Sequence, residues 1–171
     1  MTIRFVLNLL GAKVAIKTYD KSKVKDISHW RRVSSEINIM QQISHPRICR
    51  LYEAVETPKR VHLIMESLDG SNLCSYVKLK KKLTEDEASR IFFQLLQAVE
   101  YLHSIGVTHR DIKLENVLFV DRVECKDIKL IDFGFSTACI GNKLKDFCGT
   151  PSCTYRNPNV TIRPILPFEK T

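Results

Sequence analysis

The sequence predicts an α+β fold in two parts, a small lobe of antiparallel strands with one helix, then a mainly helical lobe. Three observations carry this. Short apolar runs bounded by turn residues recur up to Met65, one stripe of helical period interrupts them, and a capped helical pattern follows. Of the 171 residues, 44% are apolar and 27% charged, a globular rather than a disordered composition.

The elements follow in order. Residues 11–17 end in Val14-Ala15-Ile16 and read as a short strand. Between Ser28 and Ser44, Val33, Ile37, Met40 and Ile43 recur at intervals of three and four, the stripe of an amphipathic helix. His45-Pro46 stops it, because the residue before proline avoids helical angles. Residues 50–55 and 61–65 read as strands joined by the turn-like Thr57-Pro58-Lys59. Thr84 with Glu87 forms a capping box, Ile91, Leu95, Val99 and Leu102 follow on one face, and Gly106 is a C-terminal stop. The apolar runs 117–120 and 128–131, parted by the polar residues 121–126, read as a small hairpin. Residues 1–10 are divergent, either unrelated sequence or a single strand.

Charge excludes some classes of function. The formal net charge is +8, and residues 1–50, with ten basic and three acidic side chains, hold seven of those eight charges. So local an excess argues against nucleic acid as partner, and Lys78-Leu79-Lys80-Lys81-Lys82 lacks interleaved aromatics and reads as a solvated helix face. No apolar run approaches the roughly 18 residues of a membrane span, and Met1 to Leu10 is too brief for a signal peptide. The six cysteines form no CxxC pair, so they read as reduced thiols of a cytoplasmic or nuclear protein.

Taken singly, the chemistry-bearing residues say little, since a strand lysine or a lone histidine is usually structural. Their joint order says more: Val14-Ala15-Ile16-Lys17, a helical Glu36, His109-Arg110-Asp111-Ile112-Lys113-Leu114-Glu115-Asn116, and Asp132-Phe133-Gly134. This set closely resembles the eukaryotic protein kinase signature. The resemblance covers residues 11–152, with a small lobe at 11–65, a hinge at 66–72 and part of a large lobe at 73–152, while 153–171 form a non-matching tail. It implies a protein-kinase-like bilobal fold, ATP and Mg2+ as cofactors, and transfer of the ATP γ-phosphate to a hydroxyl of a protein substrate. Phosphoryl transfer asks a protein mainly to position ATP and offset phosphate charge.

The resemblance also implies roles. Lys17 would hold the α- and β-phosphates, oriented by an ion pair with Glu36. Asp132 would bind magnesium and Asn116 a second metal site, both through hard oxygen. Asp111 would accept the proton of the substrate hydroxyl, and Lys113 would contact the γ-phosphate. Met65 would stand as gatekeeper, the backbone of Glu66 and Leu68 would meet the adenine edge, and Ala15 and Leu118 would sandwich the ring. Met40, Leu51, His109 and Phe133 would form a column through both lobes. Lys113, with Thr150 in Gly149-Thr150-Pro151, implies serine/threonine specificity. His45-Pro46-Arg47-Ile48 and Phe147-Cys148-Gly149-Thr150-Pro151 look most like the calcium/calmodulin-dependent and AMP-activated group.

Several positions depart from the pattern. Asp146 stands where that group often phosphorylates a threonine, so it is expected to pair with Arg110 as a permanent, weaker substitute. Asn72 replaces a glutamate that often touches ribose and a substrate arginine. No two of the six glycines stand as GxG, so weakened ATP binding is expected; residues 153–159 do not reach Ala-Pro-Glu, and the resemblance ends there. The alternative function is a non-catalytic nucleotide- or protein-binding module.

Overall fold

The structure is a computed structural model, described over residues 2–7, 11–23 and 26–138. Its first part is a four-stranded antiparallel sheet of β1 (Thr2–Leu7), β2 (Lys13–Asp20), β3 (Leu51–Glu56) and β4 (Arg60–Glu66), in the spatial order β1-β2-β4-β3. β2 runs three residues beyond the expected end at Lys17. Thr18 and Tyr19 are good strand formers and pair with His62 and Val61 of β4. Ala15, Lys17 and Tyr19 alternate along β2 and are all buried, as the two-residue period of a strand requires. β1 lies at the sheet edge with all six residues exposed.

Helix α1 (Ile27–Gln42) is capped by Asp26, whose carboxylate accepts the His29 N–H at 2.7 Å. It buries Val33, Ile39 and Met40, and among them the carboxylate of Glu36. The loop after α1 leaves the small lobe and is bound by the large one: Cys49 N–H donates to the Leu130 carbonyl at 3.0 Å, and Leu130 N–H to that of Arg47 at 2.9 Å.

The second part contains α2 (Leu73–Lys80), α3 (Glu85–Ser104), and the paired strands β5 (Val107–Thr108) with β8 (Thr137–Ala138) and β6 (Val117–Phe119) with β7 (Ile128–Leu130). The α3 capping box forms as expected: Thr84 Oγ1 accepts the Glu87 N–H at 3.3 Å, and Glu87 Oε2 accepts the Thr84 N–H at 3.0 Å. Gln94, buried on α3, donates to the Lys126 carbonyl at 2.9 Å and accepts the Ile128 N–H at 3.1 Å. It thereby fixes the hairpin strand that leads to Asp132. The Tyr101 hydroxyl, also on α3, accepts the Ser44 N–H at 2.9 Å, while the ring stacks on His45 with centroids 4.8 Å apart. Ile48, Phe119, Leu130 and Phe133 are among the most deeply buried side chains and join the two parts in one core. Phe92 and Phe93 of α3, in contrast, are 60% and 63% exposed.

Candidate active site

The sheet and α1 bring three distant charges together. Lys17 Nζ lies 2.6 Å from Glu36 Oε1 and 2.8 Å from Asp132 Oδ1. Lys17 and Glu36 are almost fully buried, whereas a third of the Asp132 side chain, 34%, stays exposed. Burial by itself would push the Lys17 ammonium down, but Glu36, Tyr19 and Asp132 together outweigh it and hold the pKa above the ordinary lysine range. One ammonium thus faces two carboxylates, which leaves an excess of negative charge beside the part-exposed Asp132 side chain.

A second cluster forms around Asp111, which is buried. Lys113 Nζ lies 2.8 Å from Asp111 Oδ2. Asn116 Nδ2 donates to the Asp111 carbonyl at 2.9 Å and to Oδ2 at 3.0 Å. The hydrogen bond from Lys113 to Asp111 raises the lysine pKa, so the ammonium stays charged near neutral pH. A single 3-10 turn, Leu114–Asn116, brings Asn116 back to Asp111.

Backbone geometry ties the clusters together. Ile131, which precedes Asp132, donates its N–H to the Asn116 carbonyl at 2.9 Å, and its own carbonyl bonds His109 Nε2 at 3.0 Å. His109 Nδ1 accepts the Asp111 N–H at 3.2 Å, which makes Nε2 the protonated nitrogen. Both peptide groups of Ile131 are therefore held by the loop that carries Asp111. Arg110 and Asp132 adopt left-handed backbone angles, φ 66° and 65°, each an unfavourable conformation for a non-glycine residue that surrounding bonds must hold. Arg110 Nε donates to the Phe135 carbonyl at 2.6 Å.

The expected nucleotide-edge residues fall along the junction of the two parts. Ala15 and Met65 are directly paired between β2 and β4, and Val14 is paired with Glu66. Leu68 is buried, and Leu118 on β6 bridges Asn72. Gly70 allows close passage here, since a Cβ on it would stand 2.4 Å from the Phe119 carbonyl oxygen. Asn72 caps α2, its Oδ1 accepting the Ser75 N–H at 2.8 Å. Asp146 and Thr150 lie outside the described residues. Met40, His109 and Phe133 are buried and Leu51 packs against the same core.

Two contributors were not legible as site residues. Tyr19 donates its hydroxyl to Glu36 Oε2 at 2.5 Å; its position two residues after Lys17 on a strand is the signal that puts both on one face. Lys129 Nζ lies 2.7 Å from both carboxylate oxygens of Glu66, linking the hinge to the strand before Asp132.

The sequence model of the protein kinase domain matches residues 3–164. The chain belongs to the protein kinase family. That match extends beyond the motif-bearing stretch 11–152 at both ends. The kinase chain is 42% identical over 151 residues to the SNF1-related protein kinase catalytic subunit alpha KIN12 of Arabidopsis thaliana, which covers 88% of this chain and 30% of that protein. It is 38% identical over 150 residues to calcium-dependent protein kinase 5 of Plasmodium falciparum, covering 87% and 26%. Identity to NUAK family SNF1-like kinase 1 of Homo sapiens is 38% over 151 residues, covering 88% and 22%. The chain therefore spans less than a third of the length of these relatives. SNF1-related and calcium-dependent kinases are the group its motifs resemble.

Proposed function

We propose that this chain carries the nucleotide-binding and catalytic-loop part of a serine/threonine protein kinase, which transfers the γ-phosphoryl group of ATP to a hydroxyl of a protein substrate. The observation that carries this reading is the joining, through Ile131, of the Lys17–Glu36–Asp132 network to the Asp111–Lys113–Asn116 cluster.

The donor set suits magnesium. No group of three His, Cys, Asp or Glu side chains stands ready to hold a metal among the described residues; Asp132 and Asn116 supply isolated hard oxygens. Magnesium is usually held this way, by one or two protein oxygens, substrate phosphates and water. Bound there by Asp132 and Asn116, it would offset the charge of the ATP phosphates.

The chain's own residues then divide the work. Glu36 keeps the Lys17 ammonium fixed and charged for phosphate oxygens. Asp111 accepts the hydroxyl proton as the substrate oxygen bonds to the γ-phosphorus and the bond to the β-phosphate oxygen breaks, leaving ADP. Asn116 holds Asp111 Oδ2, so the carboxylate is oriented before the substrate arrives. Lys113 offsets charge on the transferred group. The lysine two residues after Asp111 supports serine or threonine as the acceptor. The free thiols Cys49, Cys74 and Cys125 support a reducing compartment, the cytoplasm or nucleus.

The test is a magnesium-dependent thermal shift with ATP on the 171-residue chain, alongside phosphotransfer to a serine-containing peptide. Binding that vanishes in Lys17→Met and Asp132→Asn is the expected result, with little transfer from this chain and none in Asp111→Asn. No magnesium-dependent shift overturns the reading, and binding without transfer favours a non-catalytic nucleotide-binding module.

A further inference from the structure

We propose that Tyr19 is a positioning residue for the site, its hydroxyl locking the Glu36 carboxylate in the orientation that holds Lys17 and keeping α1 against the sheet. The proposal rests on the nucleotide-binding reading for its functional consequence, and on geometry alone for the lock itself.

Glu36 is 2% exposed and Tyr19 8%. A carboxylate so deeply buried needs a partner for each oxygen, because an unbonded charged oxygen in a low-dielectric core is costly. Lys17 bonds Oε1, but the same ammonium also bonds Asp132. Oε2 is bonded by the Tyr19 hydroxyl at 2.5 Å. The donor is neutral, which matters here: a second cation would draw Asp132 away and repel a divalent ion, whereas a phenol satisfies the oxygen without changing the charge of the site. Burial, and then the neighbouring Glu36, raise the Tyr19 pKa, so the hydroxyl keeps its proton.

The ring and the hydroxyl have separable duties. The Lys17 ammonium lies 5.5 Å from the Tyr19 ring centroid, a cation–π distance, and the ring belongs to the hydrophobic core that includes Val33 and Leu63. Phenylalanine would keep all of that and lose only the bond to Glu36. When Asp132 leaves Lys17 for another ligand, Glu36 remains held on both oxygens and α1 stays in place. Without the hydroxyl, Oε2 is left unbonded and the carboxylate loses its fixed orientation.

The experiment compares wild type, Tyr19→Phe, Glu36→Gln and the double variant in the whole chain. It measures backbone amide exchange in α1 and α3 and the affinity for magnesium-ADP. In Tyr19→Phe, exchange across residues 33–40 should quicken about tenfold while α3 is unchanged, and affinity should fall about tenfold, the effect of losing a hydrogen bond to a charged group. In the Glu36→Gln background the same change should add less than about twofold to either, as coupled residues require. Unaltered α1 exchange in Tyr19→Phe overturns the proposal, as does an equal loss in the Glu36→Gln background or a parallel quickening of α3. If wild type binds no magnesium-ADP but α1 exchange still depends on the hydroxyl, the kinase reading fails and the lock stands.

Discussion

The imidazole of His109 meets the ring of Phe133 edge-on, with centroids 4.9 Å apart and planes at 67°. This contact lies between the segment carrying Asp111 and the segment carrying Asp132, so protonation of one ring bears on both.

Burial holds the His109 pKa below the ordinary histidine range. In the unfolded chain the ring titrates near about 6.5. Below that pH the unfolded chain takes up a proton that the folded chain refuses, so this contribution to stability is present above about pH 6.5 and is lost as pH falls. His45 is lowered as well, by burial and then by Arg47 and Lys129, and adds to the same limb. Melting temperature should fall between about pH 6.5 and 5, and His109→Phe should flatten part of that slope. An identical slope in the variant would refute the assignment.

Removing Lys17 leaves Glu36 buried with one partner gone. Lys17→Met should cost about 3–5 kcal/mol of stability, the usual penalty for breaking a buried ion pair. Changing Glu36 to methionine as well should recover much of that loss, since two apolar residues leave no uncompensated charge. Denaturant unfolding of the single and double variants reads both effects.

Gly70→Ala forces a methyl group against the Phe119 and Asp121 carbonyls, at 2.4 and 2.6 Å. Both are backbone atoms, so the hinge must shift. The expected cost is about 1–3 kcal/mol, typical of overpacking, with weakened nucleotide affinity because Leu68 and Glu66 move with the hinge. Affinity retained at wild-type level alongside reduced stability would separate the hinge from the nucleotide edge.

Phe92 and Phe93 give α3 an apolar outer face. Replacing both with lysine should change the melting temperature by little, as surface substitutions usually do, and should reduce self-association, since such faces promote sticking. Light scattering as a function of concentration provides the comparison.

Much of this was legible in the residues because local chemistry and tertiary structure agree. Thr84 and Glu87 specify the start of α3, and the Val33–Met40 stripe specifies α1. The strands around Lys17 follow from alternation. α2 reads from the sequence only as a solvated, lysine-rich helix face: Leu73 is its only fully buried residue, and Tyr76 and Val77, which pack partly against the core, complete a stripe of a single turn, too short to define a helix. The two-residue strands β5 and β8 are too short for any period and exist because tertiary structure aligns them. In the site, each charged residue was named by resemblance, but Tyr19 and Lys129 were not. Their roles depend on which oxygen of a partner remains free, a property of three-dimensional geometry that spacing does not encode.

The contact of Tyr101 with Ser44 and His45 pins the C-terminal end of α1 to α3. A rod fixed at one end has a restricted motion: it can pivot, and displacement grows with distance from the pivot. Glu36 lies seven residues from Ile43, about 10 Å along the helix at its usual rise, and the Asp26 end lies farther still. Whatever pushes on the first turn of α1 therefore acts with leverage on Glu36, and the Tyr19 hydroxyl is the catch that resists it.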